Sequence, residues 1–152
     1  MDIDISGTVV ATGSCSFNQG GSVGVDFGSV KYSTFSGNTL QGEYTQPLPS
    51  SLNCTGDTDG NVQMKLDSAG GSYHVWNEHT ILPVLTGKGS ESISLGIGLQ
   101  VNGAEVDCGK WFSIDLDAPP DLMVSLIQYG DGSDFVDGDT FTASGTLTVA
   151  FN

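Results

Sequence analysis

The chain contains no arginine and only four lysines against 18 acidic residues, and its formal net charge is −14 at pH 7. Nucleic-acid binding requires clustered basic side chains that contact phosphates, so this composition excludes it. The same charge disfavours binding to an anionic membrane surface. The simplest interpretation of the acidity is that it keeps the protein soluble.

Long apolar runs and helical periodicity are also missing. No segment approaches the roughly 18 apolar residues of a membrane-spanning helix, and none repeats a 3.6-residue apolar pattern through three turns. The chain has 22 glycines and many Thr, Ser and Val residues instead, a composition typical of β-proteins. Its 152 residues fit one domain. Short alternating segments separated by Gly, Asn, Asp and Pro predict six to eight short strands, which favours an immunoglobulin-like sandwich.

A signal peptide is not visible, because Met1 is followed at once by Asp2 without a basic or an apolar segment. Two interpretations stay open: a cytosolic protein, or a mature secreted sequence with an added start methionine. Three cysteines in a small all-β chain suggest one disulfide and one leftover thiol. That pattern favours an oxidising compartment.

Both ends of the chain alternate small or apolar residues with polar ones. This period of two predicts a half-buried strand at each end. Near the N-terminus the small or apolar positions are Ile3, Ile5, Gly7, Val9 and Ala11. Near the C-terminus they are Phe141, Ala143, Gly145, Leu147, Val149 and Phe151. Domain termini are poorly ordered unless something holds them, so each end strand needs a partner.

Two local signals mark the interior of the chain. Asn102-Gly103 predicts a tight hairpin turn, since both residues tolerate positive φ. Pro47 and Pro49 cannot donate to a strand ladder, so the segment that contains them is predicted to be irregular or at an edge.

Candidate catalytic and metal sites are weak. His74 and His79 lack further clustered ligands and are predicted to lie on a surface loop. Residues 57–61 resemble the start of a calcium loop, but Ser68 stands where the closing Glu belongs, so a turn is favoured. No Ser–His–acid or Cys–His set has motif support. We therefore expect no catalytic residues, no cofactor and no metal.

Five short segments, in order along the chain, carry a family resemblance. They are Ile5-x-Gly7-x-Val9 leading into Cys15, Val25-Asp26-Phe27-Gly28-x-Val30, Leu52-Asn53-Cys54, Leu95-Gly96-Ile97-Gly98-Leu99 ahead of a hairpin, and the stretch from Gly138-Asp139 through Phe141 and Ala143 to Val149-Ala150-Phe151-Asn152. In this order and spacing they resemble the pilin subunits of chaperone–usher fimbriae, the group of type 1 and P pilus subunits.

The resemblance implies a fold and a way of assembly. Residues 14–152 would form an incomplete immunoglobulin-like β-sandwich of six strands, and residues 1–13 an N-terminal donor-strand extension. The missing strand would come from a periplasmic chaperone at an outer-membrane usher, and then from the extension of a neighbouring pilin subunit. The C-terminal stripe would be the acceptor-groove and chaperone-contact strand. The protein would thus be a structural subunit of an adhesive fimbria, extracellular after passage through the periplasm of a Gram-negative bacterium.

The cysteines fit the family in part. The resemblance implies a disulfide between Cys15 and Cys54, at about the family's spacing. Cys108 departs from the usual two-cysteine pattern. It is either a buried free thiol, an intermolecular partner or a sign of a different connectivity.

Two alternatives stay open. By its pattern alone, the N-terminal stripe folds back into its own sandwich as an ordinary first strand. The whole chain can also be a self-contained secreted sandwich, for example a glycan-binding fimbrial tip adhesin that uses Tyr73, Trp76 and the acidic loops. A host receptor or glycan would then be a further partner. An enzyme is not expected.

Overall fold

The computed structural model describes residues 2–7, 13–17, 22–24, 27, 30, 43–56, 62–135 and 140–151. Every regular element in these ranges is a β-strand, which confirms the all-β prediction, and no helix there is long and apolar enough to span a membrane. The strands are β1 (Asp2–Gly7), β2 (Gly13–Phe17), β3 (Ser22–Gly24), β4 (Thr45–Pro47), β5 (Leu52–Gly56), β6 (Val62–Ser68), β7 (His74–Trp76), β8 (His79–Thr86), β9 (Glu91–Val101), β10 (Ala104–Val106), β11 (Phe112–Ile114), β12 (Leu122–Gln128), β13 (Phe141–Thr142) and β14 (Ser144–Phe151).

Two sheets form the layers of an immunoglobulin-like sandwich. The first has the order β11-β6-β14-β1-β3, and the second has the order β13-β8-β9-β12-β4, with β7 added to β8 and β10 added to β9. A separate ribbon pairs β2 with β5. The described part of the chain has more strands than the six to eight that spacing predicts, because short segments share an edge. For example, β7 and β13 pair with different halves of β8.

The core lies between the two sheets and follows the period of two in the sequence. In β6, Val62, Met64 and Leu66 are buried while the intervening residues are partly exposed. The largest fully buried side chains are those of Met64, Leu66, Ile81, Leu82, Val84, Leu95, Ile97, Leu99, Leu122, Val124 and Leu147. Burial of each side chain of this size stabilises the fold by roughly 1.5–3 kcal/mol.

Gly96 and Gly98 of β9 make room for isoleucine side chains from the strands on either side. A Cβ atom on Gly98 would lie 2.6 Å from Cδ1 of Ile127 in β12, and a Cβ atom on Gly96 would overlap Cδ1 of Ile81 in β8. Both isoleucines are buried. The Leu95–Leu99 segment therefore alternates core side chains with glycines because large neighbours occupy the other face.

Tight turns connect several strands. Asn102 and Gly103 have φ values of 53° and 83° and join β9 to β10, which confirms the predicted hairpin. The prediction that His74 and His79 lie on a surface loop was wrong, because they belong to β7 and β8. A two-residue turn of Asn77 and Glu78, both at positive φ, joins these strands. Glu is uncommon at positive φ, so the sequence carries little signal for this hairpin.

The proline segment lies at an edge, as predicted. β4 ends at Pro47 and is the last strand of the second sheet, where it pairs with β12. Proline is tolerated in this place because an edge strand needs hydrogen bonds on only one side.

The cysteine pairing implied by the resemblance is confirmed. Cys15 and Cys54 lie opposite each other in β2 and β5 and form a disulfide across a sequence separation of 39. In the chain-entropy estimate, closing a loop of this length stabilises the fold by about 4 kcal/mol. Cys108 is a buried free thiol, and burial is the main reason that its pKa is raised to about 12. It is therefore an unreactive group at neutral pH.

Asp134 fixes the connection that leaves β12 onto the start of β9. Its carboxylate accepts hydrogen bonds from the Ser94 hydroxyl at 2.6 Å, the Ser92 hydroxyl at 2.8 Å and the Ile93 amide at 2.9 Å. Burial raises the pKa of this carboxyl, but the hydrogen bonds outweigh burial and lower the pKa below its usual value. The ionised form is therefore the one that the fold stabilises.

We expect Asp134→Asn to lower the free energy of unfolding by about 1.5–3 kcal/mol at neutral pH, as for hydrogen bonds to a charged group. Because the folded pKa is lowered, this contribution is complete above the unfolded pKa of about 3.9 and is lost as pH falls through the folded value. Urea unfolding of both proteins from neutral pH to about pH 3 measures the difference. Asp117→Asn, at an exposed position, controls for the loss of one charge. A difference that does not shrink in acid would contradict this account.

Candidate strand-pairing site at the C-terminal strand

β14 contains most of the predicted acceptor residues and pairs with the predicted donor strand. One of its edges pairs with β6 in antiparallel register over seven residue pairs, from Gly145↔Ser68 to Phe151↔Val62. Its alternate residues face the core, where Leu147 is 0% exposed and Val149 is 1% exposed. The predicted half-buried C-terminal strand is therefore present.

The other edge of β14 is occupied by β1 of the same chain. The two strands are parallel, and the register sets Ile3 opposite Gly145, Ile5 opposite Leu147 and Gly7 opposite Val149. On its far side, β1 pairs with β3 over Asp2–Asp4. The two stripes of the sequence thus meet within one chain, in the arrangement that the folding-back alternative describes.

The remaining predicted residues fall elsewhere. Val9 and Ala11 lie outside the described residues. Phe141 belongs to β13, which pairs with β8 in the second sheet, and Ala143 is buried at the point where the chain crosses to the first sheet. Phe151 pairs with Val62 at the end of β14. Of the six predicted acceptor positions, Gly145, Leu147 and Val149 are thus the ones that face β1.

β14 is longer than the strands that lie at the ends of the two sheets. Within the described ranges, the strands that end the two sheets are β11, β3, β13 and β4, and each has only two or three residues. Short edges such as these protect a sheet from pairing with other chains. Without β1, the first sheet would end at β14, an eight-residue strand with an apolar inner face.

Gly145 is a close-approach position within this site. A Cβ atom there would lie 2.7 Å from the backbone oxygen of Asp67 and 3.2 Å from Cδ1 of Leu66. Backbone atoms of β6 cannot move aside as the end of a side chain can. The glycine thus lets β14 pack closely against β6 at the point where Ile3 pairs on the other side.

Tyr73 holds the end of β6 beside Gly145. Its hydroxyl accepts a hydrogen bond from the Ser68 amide at 3.0 Å and donates one to Oδ1 of Asp67 at 3.2 Å. Burial is the main cause of its raised pKa, so the hydroxyl stays protonated and able to donate. We did not predict this role from the sequence, because a single Tyr after a Gly-Gly pair carries no periodic signal.

The charge on this sheet is concentrated outside β14, which contains no charged residue. In β6, Lys65 forms an ion pair with Asp67 at 3.4 Å, and its ammonium group lies 4.7 Å from the ring centroid of Trp111. Asp4 of β1 is in the same cross-strand row as Asp67, with Thr146 between them. β14 is therefore uncharged, with small polar residues on its outer face and apolar residues on the face toward the core.

The structure offers less support for a separate binding site. Tyr73 is engaged by β6 and lies against Gly109, where a Cβ atom would come within 2.8 Å of its ring. Trp76 is partly buried in β7. Among the residues that the structure describes, no group of three or more His, Cys, Asp or Glu side chains is placed to hold a metal ion. His79 instead faces Asp107 at 3.3 Å and Glu105 at 3.8 Å.

These features define an all-β sandwich protein in which the C-terminal strand β14 pairs with the N-terminal strand β1. The family model of the fimbrial proteins matches residues 3–152, so the chain belongs to the fimbrial protein family. It is a structural subunit of a pilus, located outside the cell in association with other pilin subunits. No curated protein and no solved structure gives a significant match.

We expect Gly145→Ala to destabilise the fold by roughly 1–3 kcal/mol, as overpacking of a buried site does, because the added methyl group meets the backbone of β6. Gly70→Ala is the matched control, since nothing lies within 4 Å of a Cβ atom there. Urea unfolding of the two variants beside the parent protein gives both values. Equal stability of the two alanine variants would show that Gly145 is not a close-approach position.

Proposed function

We propose that this fimbrial protein polymerises by donor-strand exchange, with residues 2–12 of one copy pairing along β14 of the next. The observation that carries the proposal is the pairing of β1 with β14. In this pairing Ile3 and Ile5 lie in register with Gly145 and Leu147, which supports the proposal that β14 is the acceptor edge and that the N-terminal segment is a strand able to cover it.

The position of the donor strand in its sheet makes exchange feasible. Among the described strands, β1 pairs with β14 on one side and with the three-residue strand β3 on the other. Its departure breaks these two ladders and leaves the pairing of β14 with β6 in place. The order of β11, β6 and β14 does not depend on it. A second copy's segment with the same sequence then finds the same neutral edge and apolar inner face.

Assembly factors follow from the cost of an open site. A subunit whose β14 is uncovered exposes unpaired backbone groups beside an apolar groove, and such a surface aggregates. We propose that a periplasmic chaperone covers this edge with a strand of its own and delivers the subunit to an outer-membrane usher. The next subunit's extension then replaces the chaperone strand, a form of β-strand addition.

The test uses Ile5→Asp in the full chain, with Ser6→Asp as the matched control. Ile5 is a predicted apolar contact of the donor strand, and burial of a side chain of this size would contribute roughly 1.5–3 kcal/mol, whereas Ser6 belongs to the polar positions. We expect Ile5→Asp to slow filament growth by at least about tenfold, the equivalent of about 1.4 kcal/mol. Ser6→Asp should change it little. Light scattering and electron microscopy follow the growth.

The same variant separates donation from acceptance. Ile5→Asp keeps an intact β14, so it should still bind a labelled peptide with the sequence of residues 2–12. A peptide of the same composition without the alternation should not bind. Filament growth that is equal in both aspartate variants, or uptake of both peptides alike, would contradict the proposed function.

A further inference from the structure

We infer that the pairing of β1 with β14 in the same chain holds the isolated subunit in a closed, assembly-inactive state. The inference rests on the proposed function and adds a regulation to it. The subunit carries its own competitor for the acceptor edge, and the departure of that competitor is the step that precedes every exchange.

The register explains the block. β1 pairs along β14 from Asp2↔Ser144 to Gly7↔Val149, six consecutive residue pairs. β6 occupies the opposite edge of the same strand over seven pairs. A strand in a sheet has two edges, so β14 offers no free place to an incoming strand over this stretch while β1 is present.

The same contacts define what must break for the closed state to open. The β1–β14 pairing is parallel, which is slightly less stable per residue than antiparallel pairing. The other partner of β1 is β3, with three residue pairs. Opening therefore requires two ladders to separate, six residue pairs with β14 and three with β3, while the antiparallel β6–β14 pairing stays in place.

This mechanism has a kinetic signature. If β1 must leave first, the uptake rate of a labelled peptide of residues 2–12 by the full chain levels off as peptide concentration rises. An already open edge would instead give a rate that increases in proportion to the peptide.

A reversible lock tests the block directly. Asp4 and Thr146 are register partners, so Asp4→Cys with Thr146→Cys should form an intramolecular disulfide in the folded monomer. Cys108 is buried and does not compete for oxidation. The control pair is Asp4→Cys with Thr142→Cys, because Thr142 lies in β13 of the second sheet.

We expect the locked protein to take up the peptide at least tenfold more slowly than its reduced form, and reduction to restore the rate. The parent protein, reduced in parallel, controls for the Cys15–Cys54 disulfide, and circular dichroism confirms the fold. A folded protein in which the lock does not close, or in which the closed lock leaves uptake unchanged, overturns the inference. A lock that closes in a protein taking up no peptide in either state overturns the proposed function, and this regulation with it.

Discussion

The edge of β14 is the constraint on which the rest of the structure depends. Leu147 and Val149 complete the core from this strand, and β6 satisfies only one of its two edges. A long edge strand with an apolar inner face presents a row of unpaired N–H and C=O groups that favours pairing with another strand. In the single chain the strand that lies beside β14 is β1.

Under the proposed function, β14 presents the exchangeable edge, and the rest of the sandwich is consistent with that role. The other sheet ends are two- or three-residue strands, and one of them ends at Pro47. The Cys15–Cys54 disulfide ties β2 to β5, the ribbon that follows the first strand, and Asp134 fixes the connection ahead of β13. These contacts do not involve β1, as the proposed exchange of the first strand requires.

Much of this could be predicted from the sequence, because alternation with a period of two is a local signal. It predicted the strands at both ends. The hairpin at Asn102-Gly103 was predicted from another local signal, the tolerance of both residues for positive φ. The pairing of the ends was harder, since the period shows which face of a strand is buried but not which strand lies beside it. The β7–β8 hairpin was missed because Glu78 adopts a conformation that Glu rarely takes. The hydrogen bond between Tyr73 and the end of β6 depends on tertiary contacts, which the spacing of residues in the sequence does not reveal.

The most direct test asks which copy provides the strand beside β14 in the assembled state. Filaments grown from an equal mixture of two isotopically labelled pools, carbon-13 in one and nitrogen-15 in the other, report contacts between copies in solid-state NMR. Our account predicts contacts between residues 2–7 of one copy and residues 144–149 of another in the filament, and contacts within one copy in the monomer. Filaments in which these segments touch only within the same copy would contradict it.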